Sequence, residues 1–379
     1  VIYLDSAATS ATRREVLEAM WPYLTGDFGN PSSHHSVGES AATALADARA
    51  RVAARLGARA SEVVFTSGGT ESDNLAIKGI VLASPRGRHI VTSAIEHPAV
   101  LESCDYLVRH HGAELTVLAV DEDGLVDSAD LSRAIRDDTA LVSIMYANNE
   151  IGSVQPIREL AAIAHERGVP FHTDAVQAAG WLPLGLDELS VDAISISGHK
   201  LGAPKGIGAL AVRARVPLEA VLHGGGQERA RRSGTENVAG AVGLATAVEL
   251  ATVSGEQHAG RVAGIRDEFI AAVLDTVPDA LLTGSREHRL PAHASFCFPG
   301  TSGEAVLLGL EARGIICSSG SACAAGSDEP SPVLLALGIS PEVAQTAVRF
   351  TFGDDVTRDQ LLLVAEEVRV AVASVRSLG

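Results

Sequence analysis

Apolar positions recur at helical spacing over residues 37–56, where Ala41, Leu45, Ala48, Val52 and Leu56 share one face and Gly57 suits a helix end. The pattern then changes to short apolar, β-branched runs: EVVFTS (62–67), HIVTSA (89–94), ELTVLAV (114–120), ALVSIMYA (140–147), VPFHTDA (169–175), DAISIS (192–197) and IGALAVR (207–213). Most are separated by roughly 10–20 residues of helical pattern, and that alternation predicts an α/β fold with a mostly parallel sheet covered by helices. A further helix is expected over about 236–252, followed by a hinge at VSGEQHAG (253–260). From about 260 a long helix, the short strands HASFCFP (293–299) and AVRFTFG (347–353) and more helices predict a smaller α+β domain.

The composition suits a soluble globular protein, with 46% hydrophobic and 20% charged residues over 379 positions. A formal charge of −17 opposes direct binding to nucleic acid or to an anionic membrane, with QERARRSGT (227–235) the best candidate for a local basic patch. No run approaches the ~20 apolar residues of a transmembrane helix. The start of the chain, VIYLDSAATSATRREV, is too polar for a secretory signal. Four cysteines without a CxxC pair do not suggest a disulfide framework or a metal site, so reducing cytoplasm is the expected compartment.

Candidate chemistry begins with lysine, which occurs only three times, at Lys78, Lys200 and Lys205. Two of these stand in SISGHKLGAPKGIG (195–208), a glycine-rich turn after an apolar run. Arginine could supply charge there but not an amine nucleophile, because guanidinium stays protonated. Lys200, with Ser197 and His199 just before it, is the better candidate, and Lys205 reads as a turn residue. FTSGGTESDN (65–74) passes from strand to helix through two glycines at Thr70, either a phosphate cradle or a simple capped turn. Asp174 ends the strand in FHTDAVQ, where it would either pair with a protonated ring nitrogen or cap a helix. His97, in IEHPAV, would either stack on an aromatic cofactor or serve structurally. Together, a Schiff-base lysine, a ring-nitrogen carboxylate, a stacking histidine and a phosphate cradle form the logic of a pyridoxal phosphate enzyme.

A second constellation is GIICSSGSACAAGSDEPSPVLLALG (314–338), where Cys323 sits among small and polar residues. Such a segment is expected to be exposed and mobile, with Cys323 a nucleophile able to swing. Cys104, Cys297 and Cys317 lie in apolar patterns and are expected to be buried and inert.

Over essentially its whole length the chain resembles the cysteine desulfurases, pyridoxal phosphate enzymes of fold type I. The motifs that carry the resemblance are YLDSAAT, GNPSSHHSVG, SGGTESDN, EHPAV, ANNEIG, TDAVQ, SGHK, GGGQERARRSGTEN, SSGSAC and VRFTFG. The long segment after Cys323 is similar to the iron–sulfur-assembly and nitrogen-fixation subgroup. The resemblance implies a large domain with a mostly parallel seven-stranded sheet and a smaller α+β C-terminal domain. It divides the chain into an N-terminal arm (1–15) packing with the small domain, a large cofactor-binding domain (16–255) and a small domain (256–379) carrying the cysteine loop.

The resemblance also implies roles. Lys200 would hold the aldehyde of pyridoxal 5′-phosphate and later move the Cα proton. Asp174 would pair with the pyridinium nitrogen, Gln177 with the phenolic oxygen, and His97 would stack on the ring and assist proton transfer. Thr70, Ser197 and His199 would hold the phosphate, with Thr235 reaching it from the other subunit of a homodimer. Arg349 would clamp the substrate carboxylate, aided by Asn149 and Asn30. L-Cysteine would become L-alanine, its sulfur passing to Cys323 as a persulfide. A protein acceptor would then take it for iron–sulfur cluster assembly, tRNA thiolation or DNA phosphorothioation. No metal is implied. The alternatives are a selenocysteine lyase on the same scaffold, an aminotransferase, and a non-catalytic scaffold protein.

Overall fold

The computed structural model describes residues 1–319 and 329–377. Its centre is a seven-stranded sheet in the order Val63–Thr66, Gly208–Val212, Ala193–Ser197, Phe171–Asp174, Thr139–Ser143, His89–Ser93, Glu114–Leu118. Each strand realises one of the seven β-branched runs. Only Gly208–Val212 runs against its neighbours. The ten residues between Ser197 and Gly208 are too few for a crossover, so this strand returns as a hairpin while the others are joined through helices. All the other strands therefore end on one edge, where open α/β sheets gather their ligand groups.

A second sheet joins Ala347–Thr351, His293–Cys297 and Leu281–Leu282 in antiparallel order. Its core is aromatic: Phe269 meets Phe296 and Phe350 edge-on at 5.9 and 5.3 Å between ring centroids. The start of the chain is tied here too, with Ile2–Tyr3 pairing in parallel with Ile315–Ile316.

One expectation fails. The segment 253–260 is not a hinge but the middle of a continuous helix, Val238–Thr276, roughly 58 Å long at 1.5 Å per residue. Its first half packs on the core of the large sheet through Leu244, Ala247 and Val248, and its second on the aromatic core through Val262, Phe269 and Val273. The residues that read as a hinge are contact residues. Ser254 donates to the Asp354 carboxylate, and a Cβ added at Gly255 would lie 2.2 Å from the Gly180 carbonyl oxygen. Glycine is there for a close helix–turn approach. This helix is also long and apolar enough to cross a membrane, contrary to the sequence reading, yet 67% of its most apolar window is buried inside the fold.

Candidate functional site

The strand ends converge on a cavity of about 330 Å³, lined by residues including Thr70, His97, Asp174, Gln177, Lys200 and Arg349. That volume is at the lower end of the range for small-molecule sites. A larger cavity, about 390 Å³, lies at the other end of the strands around Ala140, Pro170 and Asp192. Its Asp192 carboxylate is already engaged by His165, Arg215 and the Phe171 N–H.

Lys200 follows the strand Ala193–Ser197 in a single 3₁₀ turn, Gly198–Lys200. Its Nζ donates to the carbonyls of Ala7 and Ala8, the latter at 2.8 Å. Gln177 Nε2 donates to the same Ala7 carbonyl at 3.1 Å. His199 Nδ1 is hydrogen-bonded to Thr9 Oγ1 at 3.2 Å, and burial, with the two nearby lysines, pushes its pKa down to about 4. His199 is thus a neutral imidazole over the physiological range. Lys205 is exposed in the following turn.

Asp174, the last residue of Phe171–Asp174, is buried and accepts the Val176 N–H at 2.8 Å. Burial raises its pKa, opposed by that N–H and by His97 and Lys200. A cationic group beside it would restore the charged form. His97 caps the helix Pro98–His111, its Nδ1 accepting the Ala99 N–H at 3.0 Å. The proton of the neutral ring is therefore on Nε2. Burial lowers the pKa of His97, favouring that neutral form.

The turn Ser67–Thr70 opens the helix Gly69–Ala83, and no side chain caps its first turn. The backbone packs closely here: a Cβ on Gly69 would lie 2.7 Å from Val176 Cγ2 and 3.4 Å from Ser197 Cβ. An uncapped helix N-terminus beside a serine and a neutral histidine fits an anion. The donor set as a whole fits pyridoxal phosphate: an amine, a carboxylate, an imidazole and a phosphate cradle in one cavity.

Arg349, 1% exposed, reaches the cavity from the second sheet. Its Nη1 donates to the Asn149 carbonyl at 3.0 Å and its Nη2 to Asp5 at 2.8 Å. Asn149 lines the cavity beside it. Two expected site residues lie elsewhere in this chain. Asn30 is exposed in a turn before the helix Ser36–Arg55, and Thr235 is exposed on the loop before Val238–Thr276. Cys323 lies outside the described residues. Of the other thiols, Cys104 and Cys297 are buried and Cys317 is half-buried rather than buried, and burial pushes all three up to about 12.

Several residues of this site had no sequence signal. Asp73 lines the cavity, with one carboxyl oxygen buried and without a hydrogen-bond partner; burial and the Asp174 charge push its pKa well above the usual carboxylate range, against a Ser195 hydrogen bond. Glu96 is pushed up to about 8 by burial, although it accepts from Ser93 Oγ at 2.6 Å and from the Met145 N–H. His172 sits behind Asp174, bonded to Ser143 and Ser195 at 2.9 Å each. The basic stretch 227–235 is not a bare patch either, because Glu228 and Arg232 are engaged in ion pairs. Among the described residues, no group of three or more His, Cys, Asp or Glu side chains could hold a metal ion.

Comparison with known proteins agrees with this chemistry. Residues 2–364 match the family described as Aminotransferase class-V. The chain is 47% identical over 379 residues to "Cysteine desulfurase IscS" of Dictyoglomus turgidum, covering all of this chain and 96% of that one. A solved NifS-like protein superposes with a TM-score of 0.91 at 34% identity, covering 98% of this chain and 99% of that one. A structure described as SspA in complex with cysteine matches with a TM-score of 0.81 at 37% identity, covering 93% and 99%.

Proposed function

The chain belongs to the aminotransferase class-V family and is a pyridoxal phosphate-dependent cysteine desulfurase, and from that premise we propose how its residues divide the work. When bound, pyridoxal phosphate supplies an aldehyde that captures amines and a ring that withdraws electrons from the substrate Cα. The observation that carries the assignment is the convergence of Lys200, Asp174, His97 and Arg349 on one cavity.

Lys200 would hold the aldehyde, and its free amine would take the Cα proton of L-cysteine and later return one. Asp174 would keep the ring nitrogen protonated, and Gln177 would bond the phenolic oxygen. His97 would meet the ring and carry its mobile proton on Nε2, since Nδ1 accepts the Ala99 N–H. Thr70, Ser197 and a neutral His199 would hold the phosphate, with Thr235 supplied by a second copy of the chain. Arg349 and Asn149 orient the substrate carboxylate, and Asn30 takes part from the edge.

The Cys323 thiolate attacks the substrate sulfur. An S–S bond forms as the Cβ–S bond breaks, the electron pair stays on the carbon side, and protonation there releases L-alanine. Cys323 is left as a persulfide for a protein acceptor serving iron–sulfur cluster assembly, tRNA thiolation or DNA phosphorothioation. Such delivery belongs in the cytoplasm. An exposed apolar stripe of Leu17, Trp21 and Leu24, continued by Phe28, supports the homodimer as surface for a second copy to cover.

The test is to incubate the protein with pyridoxal phosphate and L-cysteine and to measure alanine and sulfide in the presence of a thiol reductant. Wild type should make both and Cys323→Ala neither. Activity that survives in the variant would assign the sulfur to another thiol.

A further inference from the structure

The loop 223–236 contains the strongest backbone anomaly in the described chain. Three consecutive non-glycine residues, Glu228, Arg229 and Ala230, have φ of +48°, +59° and +63°. L-Residues avoid this left-handed region, so surrounding contacts must hold it in place. Two ion pairs do so: one ends on Glu71 in the strand–turn–helix that forms the phosphate cradle, and the other, between Glu228 and Arg49 of the helix Ser36–Arg55, reaches the cradle strand through hydrogen bonds to the Val63 carbonyl and the Phe65 N–H.

The first pair is buried. Glu228 grips Arg49 through both carboxylate oxygens, at 2.5 and 2.7 Å, and also accepts the Phe65 N–H at 3.1 Å. Phe65 lies just before the cradle turn. The second pair closes the far side: Arg232 Nε donates to Glu71 Oε1 at 2.8 Å, and Glu71 Oε2 accepts the Ser67 N–H at 2.8 Å. Glu71 stands in the first turn of the helix Gly69–Ala83, one residue after Thr70.

That position poses an electrostatic problem. A carboxylate in the first turn suits the helix dipole of a bare helix but repels an anion bound at the same N-terminus. Against the opposing effect of burial, Arg232 and Ser67 hold Glu71 below the usual carboxylate range, so it stays charged. Arg232 is the group that offsets this charge.

We infer that Arg232 is a positioning residue for the cofactor phosphate: its ion pair neutralises Glu71 and, with Glu228, fixes the cradle turn from outside the cavity. This rests on the reading of Thr70, Ser197 and His199 as the phosphate site. It differs from it in naming a residue that need not touch the ligand, and it explains the strained loop as the means by which Arg232 and Glu228 reach both ends of one turn.

The test compares two aldehydes that differ only in the phosphate. Dissociation constants for pyridoxal phosphate and for pyridoxal are measured by absorbance on the full chain stripped of cofactor, with thermal unfolding as a check on folding. Arg232→Gln should weaken pyridoxal phosphate by about tenfold, leave pyridoxal within about twofold of wild type, and lower the salt sensitivity of neither. Glu71→Gln combined with Arg232→Gln should recover most of the lost affinity, because the uncompensated charge is gone. Equal losses for both aldehydes, no loss, or no recovery in the double variant would overturn the inference while the phosphate site stands. A wild-type protein that binds both aldehydes equally would overturn the phosphate site and this inference with it.

Discussion

Asp5 and Arg349, 344 residues apart in sequence, form an ion pair of 2.8 Å at the wall of the cavity that also holds Lys200 and Asp174. The arm that carries Asp5 serves the whole site: the carbonyls of Ala7 and Ala8 receive Lys200, Ala7 receives Gln177, and Thr9 meets His199. Arg349 is buried on its own sheet, so a second partner beyond the Asn149 carbonyl fixes the plane of its guanidinium. Asp5→Asn keeps the shape and removes the charge. The expected result is a KM for L-cysteine raised about three- to tenfold with kcat little changed, the signature of lost ground-state orientation. Steady-state kinetics checks this. A lowered KM would mean that Asp5 competes with the substrate carboxylate.

The long helix Val238–Thr276 offers a matched pair of glycines. Gly255→Ala drives a methyl against the Gly180 carbonyl, where the ideal Cβ is 2.2 Å away, and should destabilise by about 1–3 kcal/mol. Gly260→Ala meets nothing within 4 Å on an exposed face and should stabilise by roughly 0.5–1 kcal/mol. Urea unfolding of both variants measures the signs. If both variants stabilise, the close packing at Gly180 is not as described.

That helix also shows what the chain concealed. Six of the seven strands are fully buried, and such strands must be continuous apolar runs, a local property that made them legible. Asp174, His97 and Lys200 were legible because each directly follows or ends such a run, and strand ends are where ligand groups gather. Residues 253–260 misled because Ser254, Gly255 and Gly260 carry turn chemistry, whereas the roles of Ser254 and Gly255 depend on Asp354 and Gly180, distant in sequence. Asp73, Glu96, Arg49 and Glu228 were hidden for the same reason. A charged residue reads as surface until its distant partners are known, and Arg49 finds Glu228 across 179 residues.

Glu96 gives the stability a pH dependence. Burial, and then the Asp174 charge, push its pKa to about 8, while its Ser93 and Met145 hydrogen bonds work against the shift. The folded state therefore keeps a proton that the unfolded chain releases near 4.5. This contribution is fully present below pH 4.5 and is lost as pH rises through 8, at most about 1.4 kcal/mol per unit. His172, depressed to about 3 by burial, acts oppositely: its contribution fades as pH falls below about 6.5, so it is nearly silent above pH 7. Between pH 7 and 8 the wild type should thus lose stability faster than Glu96→Gln. Denaturant midpoints at the two pH values test this, and parallel lines for the two proteins would refute it.

The last prediction concerns which sulfur can react. Cys104, Cys297 and Cys317 have thiols pushed up to about 12 by burial, so at pH 8 only ~1 in 10,000 of each is thiolate. Partial exposure of Cys317 does not change this, because nucleophilicity follows the thiolate and not access alone. Cys323 stands in the sequence among small and polar residues with no apolar run around it. Brief treatment of the folded protein with iodoacetamide at pH 8 should add one label per chain, read as one mass increment on the intact protein. Cys323→Ser should take none, and all four wild-type cysteines should label once the chain is unfolded. A second rapid label on the folded protein would show that a buried thiol is reachable, and the persulfide would then have two possible seats.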